Sequence, residues 1–108
     1  MTPTIGELEL AALLTVARLG HDAYGASIRR DLSARAERDY AVGAIYTTMQ
    51  RLEDKRLVTS SMSEPTAVRG GRAKRCFRLT ALGGRVLAQQ RQMKEALWKG
   101  VPTGLGAT

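Results

Sequence analysis

Cysteine is almost absent from this chain. Cys76 stands alone among 108 residues, which excludes an intrachain disulfide framework and a multi-cysteine metal site. Aromatic residues are scarce too, with one Trp, one Phe and three Tyr, so the core has to rest on Leu, Val, Ile, Met and Ala. Histidine occurs once, as His21, with no nucleophile pairing and no metal-ligand spacing around it, and no glycine pair carries a phosphate-loop signature. The parts of an enzyme, a metal site or a cofactor site are missing, and His21 reads as a turn residue. The longest early apolar run, Leu10 to Leu14, is far too short to span a bilayer. Glu7 and Glu9 interrupt a start that lacks the basic region of a signal peptide. The expectation is a cytoplasmic chain that does not engage membranes. Acidic residues are outnumbered, 10 against 17 Lys plus Arg, for a formal charge of +7 and a pI near 10.3. That balance says nothing about fold but favours a polyanionic partner.

A chain of this length suits one domain with a modest core. From Ile5 to Leu19 the pattern is helical. Leu10, Leu13, Leu14 and Ala17 form the apolar stripe, Glu7 and Glu9 suit the positive end of the dipole, and Gly20 stops the helix. After a short extended link, Ala23-Tyr24, a second helix runs from Gly25 to Ala36, with Ile28 and Leu32 inward and Ser27, Arg29, Arg30 and Asp31 outward. A charged turn leads to a third helix, Ala41 to Lys55. Ile45, Met49 and Leu52 fall on one stripe with Val42 at its edge, while Gly43, Thr47, Gln50 and Arg51 share the other face. That second face is small or donor-bearing and contains no acid before Asp54, so it can enter a DNA major groove without repulsion or bulk. Two helices joined by a short polar turn, the second with such a face, make a helix-turn-helix candidate.

After Arg56 the period becomes alternating. Val58, Ser60 and Met62 share one side of a strand; Pro65 and Gly70-Gly71 mark a loop; Ala73 to Leu79 forms a second strand with Arg75, Phe77 and Leu79 on one face. This is the layout of a wing. Thr80 caps a last helix to about Lys99, with Leu82, Val86, Met93 and Leu97 on its stripe. Gly83-Gly84 near its start weakens it by roughly 1 kcal/mol per glycine, which points to close packing there. The architecture read from the sequence is therefore mainly α with a small β wing: a winged helix-turn-helix over residues 1–79, a C-terminal dimerisation helix over 80–99, and a disordered tail over 100–108.

Candidate contacts follow. Arg69, Arg72, Lys74, Arg75 and Arg78 form an acid-free basic run on the wing, suited to phosphate or minor-groove contact, with Gly70 and Gly71 allowing close approach. Tyr46 lies between core and outer face, its hydroxyl within reach of a phosphate. Tyr24, Gly25 and Ser27 precede or open the second helix, whose N-terminal amides can hold another phosphate; plain core packing suits Tyr24 equally well. Gly43 and Ala44 keep the third helix thin. Thr47, Gln50 and Arg51 are the candidates for base or backbone contact, Gln suiting adenine and Arg guanine. On the last helix Gln90, Met93, Leu97 and Trp98, with Val86 and with Leu10 and Leu14 of the first, read as a dimer interface. The sharper alternative is that Trp98 and its symmetry mate wall a pocket for a small planar aromatic effector. Cys76, on the outward strand face, reads as an inert thiol rather than an oxidant sensor.

Four blocks resemble the PadR-like winged-helix transcriptional regulators, spanning about Leu8 to Leu87. The His21-Asp-Ala-Tyr-Gly-Ala-Ser-Ile28 turn is similar to the family's His-Gly-Tyr-x-Ile. Gly43-Ala-Ile-Tyr46 with Arg51-Leu-Glu53 and Leu57-Val58 is close to Gly-x-x-Tyr…Arg-Leu-Glu…Gly-Leu. Gly71-Arg-Ala-Lys-Arg75 is like Gly-Arg-x-Arg-Lys, and Phe77-Arg-Leu-Thr80 with Gly83 is like Tyr-x-Leu-Thr-x-x-Gly. The chain departs from the pattern in places: Gly25 follows Tyr24 instead of preceding it, Arg56 replaces the usual glycine, so that the turn into the strand either differs or holds strain at a left-handed residue, and Cys76 replaces a common aromatic. The resemblance implies a homodimer that binds a palindromic operator in double-stranded DNA, as a rule a repressor relieved by a small molecule. The reading from another class is a winged-helix protein-interaction module without specific DNA binding. A third is a pure small-molecule sensor.

Overall fold

The computed structural model describes residues 3–63 and 73–106. The chain folds as α1 (Glu7–Leu19), a 3₁₀ turn (Gly20–Asp22), α2 (Gly25–Ala36), α3 (Val42–Asp54), β1 (Val58–Met62), β2 (Arg75–Leu79) and α4 (Ala81–Trp98). Three helices pack around one core, the two strands pair antiparallel from Val58↔Leu79 to Met62↔Arg75, and α4 follows the sheet. The fold is a mainly helical winged helix. Each expected boundary lies within a residue or two of the observed one, because caps and period changes are local signals.

The face that α1 buries departs from expectation. Ala12, Leu13 and Val16 enter the core, while Leu14 is 45% exposed, Leu10 is half-buried and Ala17 lies outside. The helix has two apolar faces, and the core uses the one carrying Thr15, whose hydroxyl donates to the Ala11 carbonyl at 2.8 Å and so is buried with its hydrogen bond satisfied. Ser27 is a second correction. Expected to face out, it is buried, its hydroxyl accepting from the Tyr24 amide at 3.0 Å and donating to the Asp22 carbonyl. It holds the turn between the 3₁₀ segment and α2. The link itself behaves as a third short strand: Tyr24 bridges Cys76, and the Phe77 amide donates to the Ala23 carbonyl at 2.8 Å. An Arg18–Asp31 ion pair, 3.0 Å from Nε to Oδ2, ties α1 to α2. The Arg18 guanidinium, donating to the Asp31 carboxylate, holds that carboxyl below its ordinary range.

α3 buries Ile45, Met49 and Leu52 as its period dictates. Its end is built by Arg56, which adopts φ +63°. The Leu57 amide donates to the Leu52 carbonyl and the Arg56 amide to the Glu53 carbonyl, both at 2.9 Å, with Leu52 and Leu57 fully buried beside each other in the core. This is a Schellman stop with arginine at the left-handed position that glycine would occupy without strain. Thr80 then caps α4, accepting from the Gly83 amide at 2.9 Å and donating to the Arg56 carbonyl at 2.8 Å.

Only Gly83 and Val86 of α4 are buried, and residues 91 to 106 are exposed throughout. The molecule is accordingly elongated, with a radius of gyration of 16.0 Å against about 13 Å for a compact chain of this length. Among the described residues no helix is long and apolar enough to cross a membrane.

The two glycines of α4 separate cleanly. A Cβ on Gly83 would lie 2.3 Å from the Leu57 carbonyl oxygen and 2.8 Å from Leu79 Cδ1, whereas one on Gly84 would meet nothing nearer than 3.9 Å. Gly83→Ala is expected to destabilise by about 1–3 kcal/mol through overpacking against backbone. Gly84→Ala is expected to stabilise by up to about 1 kcal/mol through helix propensity. Thermal denaturation followed by circular dichroism checks both, and equal effects at the two sites would contradict the packing described.

Candidate functional site

α3 carries its buried stripe on one side and, on the other, an outward face of Gly43, Tyr46, Thr47, Gln50 and Arg51, all exposed, with Ala44 half-buried beside them. The helix can show this face because Ile45, Met49 and Leu52 anchor it and Thr48 satisfies itself, donating to the Ala44 carbonyl at 2.7 Å. Gly43 has open space around it: a Cβ there would meet no atom within 4 Å. Nothing in the fold requires a glycine at that position. The Gln50 amide donates to Asp54 Oδ1 at 2.9 Å, so the first acid on this face already has a partner. Arg51 makes no ion pair among the described residues.

The start of α2 lies next to this face. A Cβ on Gly25 would sit 3.0 Å from the Tyr46 hydroxyl, so that ring covers the first residue of α2. Tyr24 precedes it, with the Lys74 ammonium 4.2 Å from its ring centroid, a cation–π contact. Arg30 alongside the phenol, and after it Lys74, hold the Tyr24 hydroxyl below its ordinary range. Tyr24, Tyr46 and Lys74 are thus brought together around the entry to α2, lining one shallow pocket with Gly25 and Ala26. Arg30 was not singled out in the sequence. Its signal was weak, one of two adjacent arginines on an amphipathic helix, and only the fold sets it beside Tyr24.

Two of the expected contacts are otherwise engaged. Ser27 is buried, and its hydroxyl is taken up by the turn it stabilises. Arg75 is half-buried and ion-paired to Glu53, with its Nε donating to Ser60 Oγ at 3.1 Å and its guanidinium stacked 5.1 Å from the Phe77 ring centroid. Its alternation places it on the Phe77 side of β2, where the carboxylate of α3 meets it; it joins wing to helix and still lines the pocket of Tyr24, Tyr46 and Lys74. Lys74, just before the strand, and Arg78 within it are the exposed cations here. Arg69 and Arg72, with Gly70 and Gly71, lie outside the described residues.

The second patch lies at the far end. Leu10 and Leu14 of α1 meet Leu87, Gln90, Lys94 and Trp98 of α4 in an apolar groove of about 450 Å³. Trp98 is 68% exposed and Leu97 71%; Met93 is exposed as well, and neither Met93 nor Leu97 lines the groove. Val86, expected at this interface, belongs instead to the molecule's own core, because the helical stripe passes from the packed half of α4 to its protruding half between Val86 and Met93. Among the described residues no cluster of three or more His, Cys, Asp or Glu can hold a metal ion. The outward face of α3 with Lys74 can offer hydrogen bonds and positive charge to an anionic surface.

The Arg75–Glu53 pair generates a stability prediction. The two side chains are about one third exposed, 36% and 27%, so screening limits the pair to about 0.5–1 kcal/mol. A double-mutant cycle of Arg75→Ala and Glu53→Gln in urea should recover a coupling of that size that shrinks with added salt. No coupling would mean that the wing is not tethered to α3 in this way.

Comparison with known proteins places these features in a family context. The PadR-like family of transcriptional regulators matches residues 13–89. No curated protein matches the chain in sequence. Among solved structures, the chain is similar to a PadR-like transcription factor from Bacteroides fragilis at 23% identity, covering 87% of this chain and 85% of that one with a TM-score of 0.71. A PadR family transcription regulator from Clostridium difficile R20291 aligns at 24% identity over 87% and 93% of the two chains, TM-score 0.69. A Streptococcus transcriptional regulator aligns at 26% identity over 87% of each, TM-score 0.69.

Proposed function

The chain belongs to the PadR-like family of transcriptional regulators, which are not enzymes, and from that premise we propose that it is a sequence-specific DNA-binding regulator acting as a homodimer in the cytoplasm. The observation that carries the reading is the outward face of α3: exposed, donor-bearing, with an open-sided glycine and with its one acid already paired to Gln50. On this reading α3 enters the major groove. Gly43, Ala44, Tyr46, Thr47, Gln50 and Arg51 meet base edges and the adjacent backbone, while Tyr24 and Lys74 hold phosphates. Arg69 and Arg72 extend the wing's charge by their place in the sequence.

The dimer contact is assigned to the exposed half of α4 with the second apolar face of α1. Leu14, Met93, Leu97 and Trp98 are all exposed large hydrophobics, and exposed apolar surface of this kind marks association sites. A twofold axis there would set two α3 helices about 34 Å apart, one turn of DNA, on a near-palindromic operator. The groove between Leu10, Leu14 and Trp98 is the place for a flat aromatic effector, shared between two copies, that would relieve repression.

The deciding experiment is a gel-shift of the DNA upstream of the chain's own gene against scrambled DNA across a salt series. Preference for the native fragment at near-physiological salt is expected; equal binding that vanishes with salt would leave only the +7 charge at work and overturn the reading. In the same assay Gly43→Ala should weaken native-fragment binding while leaving the fold intact or slightly more stable. Lys74→Ala should weaken both fragments and lower the salt slope by about 1.

The dimer has its own test. Sedimentation should give a dimer for the wild type and a monomer for Leu97→Asp with an unchanged circular dichroism spectrum, since Leu97 is outside the monomer core. A monomeric wild type at micromolar concentration would remove the assigned interface.

A further inference from the structure

Most of the exposed large hydrophobic side chains fall in the α4 patch, the tail or the end of β1. Val42 and Tyr46 do not. They stand one turn apart on α3, each 50% exposed, on a helix whose other outward residues are small or polar. Val42 is the first residue of that helix, the end that reaches base edges when a helix enters the major groove. Its apolar period assigned it to the edge of the buried stripe, and the fold leaves it outside.

The two side chains form one wall of a groove of about 520 Å³ between α2 and α3, facing Ala26, Arg29 and Arg30. The charges around it decide the class of occupant. Arg29 is committed to Asp39 at 3.2 Å and to the Tyr40 carbonyl, while Arg30 makes no ion pair among the described residues. One apolar wall with a net positive rim fits a nucleotide strand better than an apolar peptide. The major groove exposes a single apolar group, the 5-methyl of thymine.

We propose that Val42 is a specificity-determining residue that reads thymine, its isopropyl group packing on a thymine 5-methyl with Tyr46 closing the far side. The inference rests on α3 being the recognition helix. It adds an apolar component to the polar readout by Thr47, Gln50 and Arg51, and it predicts a thymine where the first turn of α3 meets the operator.

The test uses a duplex selected from a random library by the wild-type protein, with each dT replaced in turn by deoxyuridine, which removes only the methyl. Wild type should bind about four-fold more weakly at one or two of these positions, the equivalent of one buried methyl. Val42→Ala should bind the parent duplex about as weakly and show no further loss on the same deoxyuridine substitutions. Its melting temperature, checked in parallel, should match wild type because the side chain lies outside the core. If no deoxyuridine weakens wild type, or if the loss persists in full in Val42→Ala, the inference falls while DNA binding stands. If selection yields no preferred sequence, the recognition-helix reading itself fails and this inference with it.

Discussion

The carbonyl of Leu57 and the missing side chain of Gly83 share a space that no Cβ can enter, 2.3 Å being far inside contact distance. That carbonyl also accepts the Thr80 amide at 3.1 Å, while the amide of the same residue ends α3 by donating to Leu52. One buried residue, through its amide on one side and its carbonyl on the other, thus joins the end of α3, the start of the sheet and the start of α4. The left-handed Arg56 immediately before it sets the angle at which the chain leaves α3, and its carbonyl receives the Thr80 hydroxyl. The direction in which α4 leaves the sheet is set here by backbone contact, with Val86 holding the next turn in the core.

From that junction α4 runs outward with little underneath it. Its first turns contribute Gly83 and Val86 to the core; its last turns present Leu97 and Trp98 to solvent. α1 shows the same division across its width, with Val16 inside and Leu14 outside. Because both helices turn an unused apolar side toward one groove, the fold has a second hydrophobic surface that a single copy cannot bury. The outward face of α3 lies away from this groove. The groove between α1 and α4 and the outward face of α3 share no residue.

The basic residues divide in a similar way. Alternation along β2 sends Arg78 outward and Arg75 toward Glu53 and Ser60, while Lys74, just before the strand, is exposed. Charge counted along the sequence treats these three alike, but a guanidinium locked to a carboxylate contributes to the angle of the wing and little to the field felt by a partner. Ser27 follows the same rule: a hydroxyl at a helix start looks available until the turn folds over it.

The elements themselves were legible in the sequence because the signals that set them are local. Glycine after the last periodic residue of α1, the change of period after Arg56 and the threonine ahead of α4 each act within a few residues. The outward face of α3 was legible for the same reason, as was close packing near Gly83 and Gly84, although the sequence could not tell the two apart. Tertiary structure decided between candidates that are locally equivalent: which apolar face of α1 is buried, whether Val42 lies inside or outside the core, and whether Val86 belongs to the core or to the interface. It also decided that Arg75 and Ser27 are engaged within the fold while Arg30 joins Tyr24. Helix periodicity specifies a face to within a residue or so, whereas burial depends on the elements that arrive from far along the chain.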